Sequence, residues 1–265
     1  MLAQAPSLCP VRESCMQPSS PGRRKRAPRL FIDDSTAVQA GPAETAIGRG
    51  ASIVFRPRRV PMTTSIPLSK PWIDKAEIDR VTRALTGRLS GDGPICRAVE
   101  KDLEAVLGAT RVLLTTSCTH ALELALLTLG IGPGQEVICP SFTFASTANA
   151  ILRTGAQPVF ADIEPRTLGL DAADVAGRMT SRTRAIIPVH YGGIAADMDE
   201  LLALARGHDL IVIEDAAHGL GGSFRERPLG TLGDAGCFSF HETKNITCGE
   251  GGALVLMDSE LAGKA

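Results

Sequence analysis

From about residue 62 onward, apolar residues in this 265-residue chain fall into short continuous runs that alternate with helically spaced sets. Asp74 with Glu77 three residues later marks a helix start, and Ile78, Val81 and Leu85 follow at helical spacing. A second helix is expected from Pro94 to Leu107, stopped by Gly108. Val112-Leu113-Leu114 reads as a buried strand. Thr119 then opens a helix with Leu122, Leu126 and Leu129 along one face, closed by Gly130. Further strands are expected at Val137–Cys139, Val159–Ala161, Ala185–Ile187 and Leu210–Ile213. Helical stretches lie at 144–154 and 198–208, the latter with Asp197 and Glu200 as a cap pair. Two more apolar runs are Cys237–Phe240 and Ala253–Leu256. Short apolar strands alternating with helices predict an α/β domain with a mainly parallel sheet covered on both faces.

Residues 1–61 break this pattern. They hold Pro- and Ser-rich stretches, the basic run Arg23-Arg24-Lys25-Arg26, and ten Lys/Arg against four Asp/Glu. The reading adopted is a disordered basic leader, or translation begun upstream of the true start, with Met62 opening the globular part. A targeting or nucleic-acid-binding arm is the alternative for the basic run.

Composition narrows the class. The net charge of −1 and 4% aromatic residues argue against a nucleic-acid partner. Seven scattered cysteines with no C-x-x-C pair point to reduced thiols in a cytoplasmic protein, without a structural zinc. No apolar stretch approaches the length of a membrane span.

Ligands of open α/β sheets sit at the carboxyl ends of strands, and chemistry-bearing residues recur there. Thr115-Thr116-Ser117-Cys118-Thr119 joins a strand to a helix, where free N–H groups could hold a phosphate or a Ser/Thr could simply cap. Phe144 follows the next strand and could stack on a flat ring or belong to the core. Asp215, at the end of Leu210–Ile213, could hold a pyridine nitrogen protonated or cap a helix. His218 lies three residues on. Ser239, between Phe238 and Phe240, wants a partner that a phosphate oxygen or a backbone carbonyl would supply. Lys244 follows this last strand in the bend His241-Glu242-Thr243-Lys244-Asn245, before the flexible Cys248–Gly252. A lysine partly desolvated there has the lowered pKa that Schiff-base formation with an aldehyde cofactor needs. Together these residues match the requirements of pyridoxal 5'-phosphate.

From Ile66 to its end the chain resembles sugar aminotransferases of the DegT/DnrJ/EryC1/StrS family, within the fold-type I pyridoxal-phosphate superfamily. The matching blocks are Ile66–Pro71, Pro140–Thr147, Ile187–Gly193, Glu214–Gly219 and Phe238–Asn245. The resemblance implies a catalytic Lys244 that carries the cofactor and moves the proton. It puts Asp215 on the pyridine nitrogen, His218 beside the ring and Phe144 against its face. Ser239 and the amides near Cys118 and Thr119 take the phosphate. It further implies transfer of an amino group from an amino acid, L-glutamate, to the C4 keto group of a nucleotide-linked sugar. That sugar is a dTDP-4-keto-6-deoxyhexose or a UDP-4-keto-pentose destined for cell-surface polysaccharide or lipopolysaccharide. A lysine at 244, rather than histidine, argues against the sugar-dehydratase branch.

Relatives continue past the point where this sequence stops. The expectation is therefore a large cofactor domain, 62–265, without the C-terminal small domain, and a homodimer where that part is present. The alternatives are a non-catalytic remnant that only binds cofactor or partners, and an unrelated nucleotide-binding α/β module. No glycine fingerprint follows the strand near Val112 to favour the latter.

Overall fold

The computed structural model describes residues 69–87 and 89–265. The expected leader, 1–61, and the start at Met62 lie outside the described residues.

Helix α1 (Lys75–Leu85) begins at a full capping box: Asp74 accepts from the Ala76 amide at 2.7 Å, and Glu77 accepts from the Asp74 amide at 3.0 Å. Its Ile78, Val81 and Leu85 are all exposed. Within the described residues the helix is therefore held by local bonds rather than by burial. Helix α2 (Pro94–Leu107) has the expected bounds, with proline in its first turn and Gly108 closing it in the left-handed region.

Strand β1 (Arg111–Thr115) leads into α3 (Cys118–Thr128), which starts one residue before the expected Thr119 because Ser117 is its cap. There follow β2 (Glu136–Pro140), α4 (Ser146–Arg153), β3 (Gln157–Ala161), α5 (Ala172–Arg178), β4 (Thr183–Ile186), α6 (Met198–His208) and β5 (Ile211–Asp215). A small hairpin, β6 (Ser223–Phe224) and β7 (Arg227–Pro228), precedes β8 (Ala235–Ser239), β9 (Gly252–Leu256) and the short α7 (Ser259–Lys264). Two details correct the sequence reading. Helix α5 was not foreseen, and Asp197 makes no capping hydrogen bond to α6.

The main sheet has the order β1-β9-β8-β5-β4-β2-β3. Pairs from β3 through β8 are parallel, while β9 runs antiparallel to both β8 and β1. The expected mainly parallel α/β sheet is therefore observed. Strand alternation divides its side chains between two faces. Val137, Cys139, Ile187, Ile213 and Cys237 pack with α3 and α4. Ile138, Ile186 and Val212 pack with α5 and α6. Phe238, Ala253 and Val255 meet Leu107 of α2.

The reversed β9 fixes where the chain can build a site. Because β9 is antiparallel to its neighbour β8, the connection 240–251 never crosses the sheet and stays at the carboxyl edge. There the first residue of β9 meets the start of α3: a Cβ on Gly252 would lie 2.5 Å from the Cys118 nitrogen and 2.6 Å from the Ser117 oxygen. Only a glycine lets the helix N-terminus sit this low on the sheet. Gly252→Ala is expected to cost about 1–3 kcal/mol, the usual range for overpacking, and to lower the urea midpoint. A wild-type midpoint in that variant would show that α3 does not rest on β9.

Candidate active site

The carboxyl edge gathers one cavity of about 670 Å³. All seven residues singled out in the sequence line it: Cys118, Thr119, Phe144, Asp215, His218, Ser239 and Lys244. They arrive on several different supports. Cys118 and Thr119 open α3, where unpaired amides and the helix dipole favour an anion. Asp215 ends β5, Ser239 ends β8, and Lys244 sits on the β8–β9 connection. That connection is pinned by Phe240 and Gly251 pairing at 2.8 Å and by the Asn245 amide donating to the Leu220 carbonyl at 2.7 Å.

Several alternatives from the sequence are resolved here. No helix follows Asp215, so it is no helix cap; its Oδ1 instead accepts from the Ala217 amide at 3.2 Å. Phe144 is 79% exposed, so it is no core residue. Ser239 Oγ accepts from the His241 amide at 3.3 Å, which leaves its own proton free to donate.

Charge in the cavity is set mainly by desolvation. Partial burial lowers the Lys244 pKa from 10.5, while Cys118 and Asp215 pull the other way. Burial also raises the Cys118 thiol well above 9.0, with Asp215 adding to the shift. Cys118 is therefore a neutral thiol near pH 7 and cannot hold the ammonium in place, so desolvation prevails at Lys244. His218 is shifted down from 6.5 by burial and by Lys244, against Asp215. Its Nδ1 accepts from the Gly192 amide at 3.1 Å, so the neutral ring directs its Nε2 proton elsewhere.

Four groups that the sequence reading passed over complete the arrangement. Thr147, fully buried on α4, donates to Asp215 Oδ2 at 2.8 Å. Glu214, on the opposite face of β5 from Asp215, is fully buried and accepts from Gly230 N at 2.8 Å, Leu232 N at 2.6 Å and Gly233 N at 2.7 Å. His190, equally buried, gives Glu214 a fourth bond at 2.8 Å, because its Nδ1 already accepts from the Ala196 amide. Tyr191 stands between Phe142 and His218, with ring centroids 4.6 and 5.8 Å away. All four lie in blocks already marked in the sequence, Pro140–Thr147, Ile187–Gly193 and Glu214–Gly219, but a helical Thr and a strand-end Glu carry no signal of their role apart from their partners. A second cavity, about 640 Å³, shares His218, Thr243 and Lys244 with the first and is walled largely by Gly192, Gly193, Gly221 and Gly222.

Comparison with known proteins agrees with this geometry. The model of the DegT/DnrJ/EryC1/StrS aminotransferase family matches residues 71–265, and the chain belongs to that family. It is 48% identical over 199 residues to the spore coat polysaccharide biosynthesis protein SpsC of Bacillus subtilis (strain 168), a match covering 75% of this chain and 51% of SpsC. The structure of DesI with its TDP-sugar product is similar at 42% identity and TM-score 0.68, over 73% of this chain and 49% of DesI. The PLP form of the sugar aminotransferase Spr1654 from Streptococcus pneumoniae is similar at 32% identity and TM-score 0.70, over 75% of this chain and 54% of that one. The fold is that of fold-type I pyridoxal-phosphate enzymes. The chain spans about half the length of these relatives.

Two outcomes follow for the protein itself. In Glu214→Gln one side-chain oxygen becomes an NH₂ group facing two donors, and His190 cannot compensate because Ala196 occupies its Nδ1. A loss of about 3 kcal/mol or more is expected in urea unfolding; a variant as stable as wild type would refute the four-donor clamp. For Lys244, a folded pKa below the unfolded value makes its burial cost stability at low pH. That cost falls away as pH rises between the lowered value and 10.5. Lys244→Met should therefore remove a stability rise over that window, and an unchanged pH–stability curve would count against a desolvated lysine.

Proposed function

We propose that this chain binds pyridoxal 5'-phosphate at Lys244 and forms the cofactor domain of an aminotransferase. In this reading an amino group from an amino acid, L-glutamate, goes to the C4 keto group of a nucleotide-linked sugar. The observation that carries the reading is the convergence of a half-buried lysine, a buried carboxylate and a helix N-terminus on one cavity.

The residues present fit the cofactor. The amides of Cys118 and Thr119 and the free Ser239 proton are donors for a phosphate. Asp215 is a carboxylate acceptor for a protonated ring nitrogen, Phe144 offers an exposed ring face, and His218 a neutral N–H. When bound, the group supplies an aldehyde that condenses with amines and a ring that withdraws electrons. The chain's own contribution is positioning and proton handling. Lys244 is the base placed to hold or move a proton at the reacting carbon, because desolvation keeps more of its amine neutral than on a surface lysine. Asp215 is placed to keep a ring nitrogen cationic.

The substrate class rests on the relatives. SpsC is named for polysaccharide biosynthesis and DesI was solved with a TDP-sugar product. A dTDP-4-keto-6-deoxyhexose and a UDP-4-keto-pentose remain the two acceptors to test, for cell-surface polysaccharide or lipopolysaccharide. A cytoplasmic homodimer is the setting proposed for the complete enzyme. No described helix is long and apolar enough to cross a membrane.

Mixing the purified protein with pyridoxal 5'-phosphate should give a visible absorbance band that Lys244→Ala abolishes. A folded wild-type protein with no band would sink the cofactor assignment. Amino transfer from L-glutamate is then assayed on both keto sugars, each expected to depend on Lys244. A band with no transfer to any keto sugar would leave a domain that only binds the cofactor.

A further inference from the structure

We infer that Thr143 and Thr147 form a directional hydroxyl relay that positions Asp215, making both threonines positioning residues for the proposed cofactor chemistry. The inference rests on the reading of the site as a pyridoxal-phosphate site, and it concerns how that site aims its carboxylate.

The direction follows from donor counting. An ionised carboxylate only accepts, so the 2.8 Å contact between Thr147 Oγ1 and Asp215 Oδ2 uses the single hydroxyl proton of Thr147. The 2.8 Å contact between Thr143 Oγ1 and Thr147 Oγ1 must then take its proton from Thr143. Thr147 is fully buried, whereas Thr143 lines the cavity. The relay thus runs from the cavity wall, through the start of α4, to one oxygen of Asp215.

This arrangement settles which part of the carboxylate faces the ligand. Oδ2 is taken by a charge-assisted hydroxyl bond, the stronger kind. Oδ1 accepts the longer, 3.2 Å bond from the Ala217 amide and keeps lone-pair capacity for a ring N–H. The carboxylate plane is fixed by two bonds from two different elements, α4 and the turn after β5. Helical threonine hydroxyls ordinarily return to the carbonyl four residues back. Thr147 bonds across to β5 instead, over 68 residues of sequence.

The test uses Thr147→Val, which removes the hydroxyl at nearly constant volume, Thr147→Ser, which restores it, and Thr143→Val. In the cofactor-free protein, the Asp215 carboxyl ¹³C resonance, assigned with Asp215→Asn, should move in Thr147→Val and return in Thr147→Ser. With pyridoxal 5'-phosphate bound, the pH midpoint of the visible band should rise in Thr147→Val, because a poorly aimed Asp215 holds less positive charge on the ring. The single-turnover half-reaction with L-glutamate should slow about tenfold, the scale of one lost hydrogen bond. Thr147→Ser should recover most of the rate, and Thr143→Val should give a smaller loss in the same direction. An unmoved Asp215 resonance and an unshifted midpoint in Thr147→Val would overturn the relay. So would a loss that serine does not rescue. If wild type forms no visible band, the cofactor reading itself has failed; if the band forms and Lys244→Ala abolishes it while Thr147→Val changes nothing, only the relay has.

Discussion

Two adjacent carboxylates, both buried, end strand β5, and much of the molecule is arranged around satisfying them. Strand alternation sends Glu214 and Asp215 to opposite faces of the sheet, so one solution cannot serve both. Burial of an ionised group demands full hydrogen bonding or an opposite charge. Glu214 takes the first course. Three amides of one loop and the His190 ring saturate it, and in doing so they hold the turn at 230–233 and the segment 188–196 against the end of β5. The backbone repeats the connection on the same strand, since Asp215 N donates to Pro188 O at 2.9 Å and His190 N to Asp215 O at 3.1 Å. The saturated face makes the strand end rigid, and the other face can then present Asp215 to a cavity.

Topology supplies the second condition. In a purely parallel sheet the chain leaving β8 would have to cross back to the other edge before the next strand. The reversed β9 removes that need, so Lys244 stays at the carboxyl edge beside Asp215. The same strand begins with Gly252, on which the α3 N-terminus rests. A lysine, a carboxylate and a helix dipole are thereby brought together by the order β1-β9-β8-β5 alone.

Much of this was legible in the sequence, and the exceptions share a cause. Proline at 94 and glycine at 108 bounded α2 because both act through local backbone preference. The Asp74–Glu77 capping box was readable for the same reason. The strand-end residues lining the cavity were found because strand ends are marked locally and the fold class says where ligands go. The α3 start was misplaced by one residue because several neighbouring hydroxyls could cap, and the end of β1 decides among them. Helix α5 buries only Val175, so it has no apolar period to detect. Asp197 has the right chemistry for a cap, but its carboxylate accepts no capping bond from α6. Thr147, Glu214 and His190 were passed over because their partners lie 68, 16 to 24, and 6 or more residues away, distances that only tertiary structure closes.

What the donors to Asp215 leave uncancelled matters as much as what they fix. Among the described residues its direct hydrogen-bond donors are a hydroxyl and an amide, both neutral. An arginine in the place of Thr147 would aim the carboxylate equally well and would cancel its charge by contact. With neutral donors the negative field persists, and the surrounding groups register it. It adds to the burial that pushes Cys139 up to about 12 and to the upward shifts of Cys118 and Cys237. It opposes the downward shifts of His218 and Lys244. The three thiols answer by staying protonated, and His218 by staying neutral through burial. The other carboxylate of the cavity wall, Glu250, is solvent-exposed and lies 3.4 Å from His241 Nε2, and no nearby thiol is turned into an anion. The chain therefore presents one oriented, undischarged carboxylate to whatever cation enters, which is the electrostatic requirement for holding a heteroaromatic ring in its protonated form.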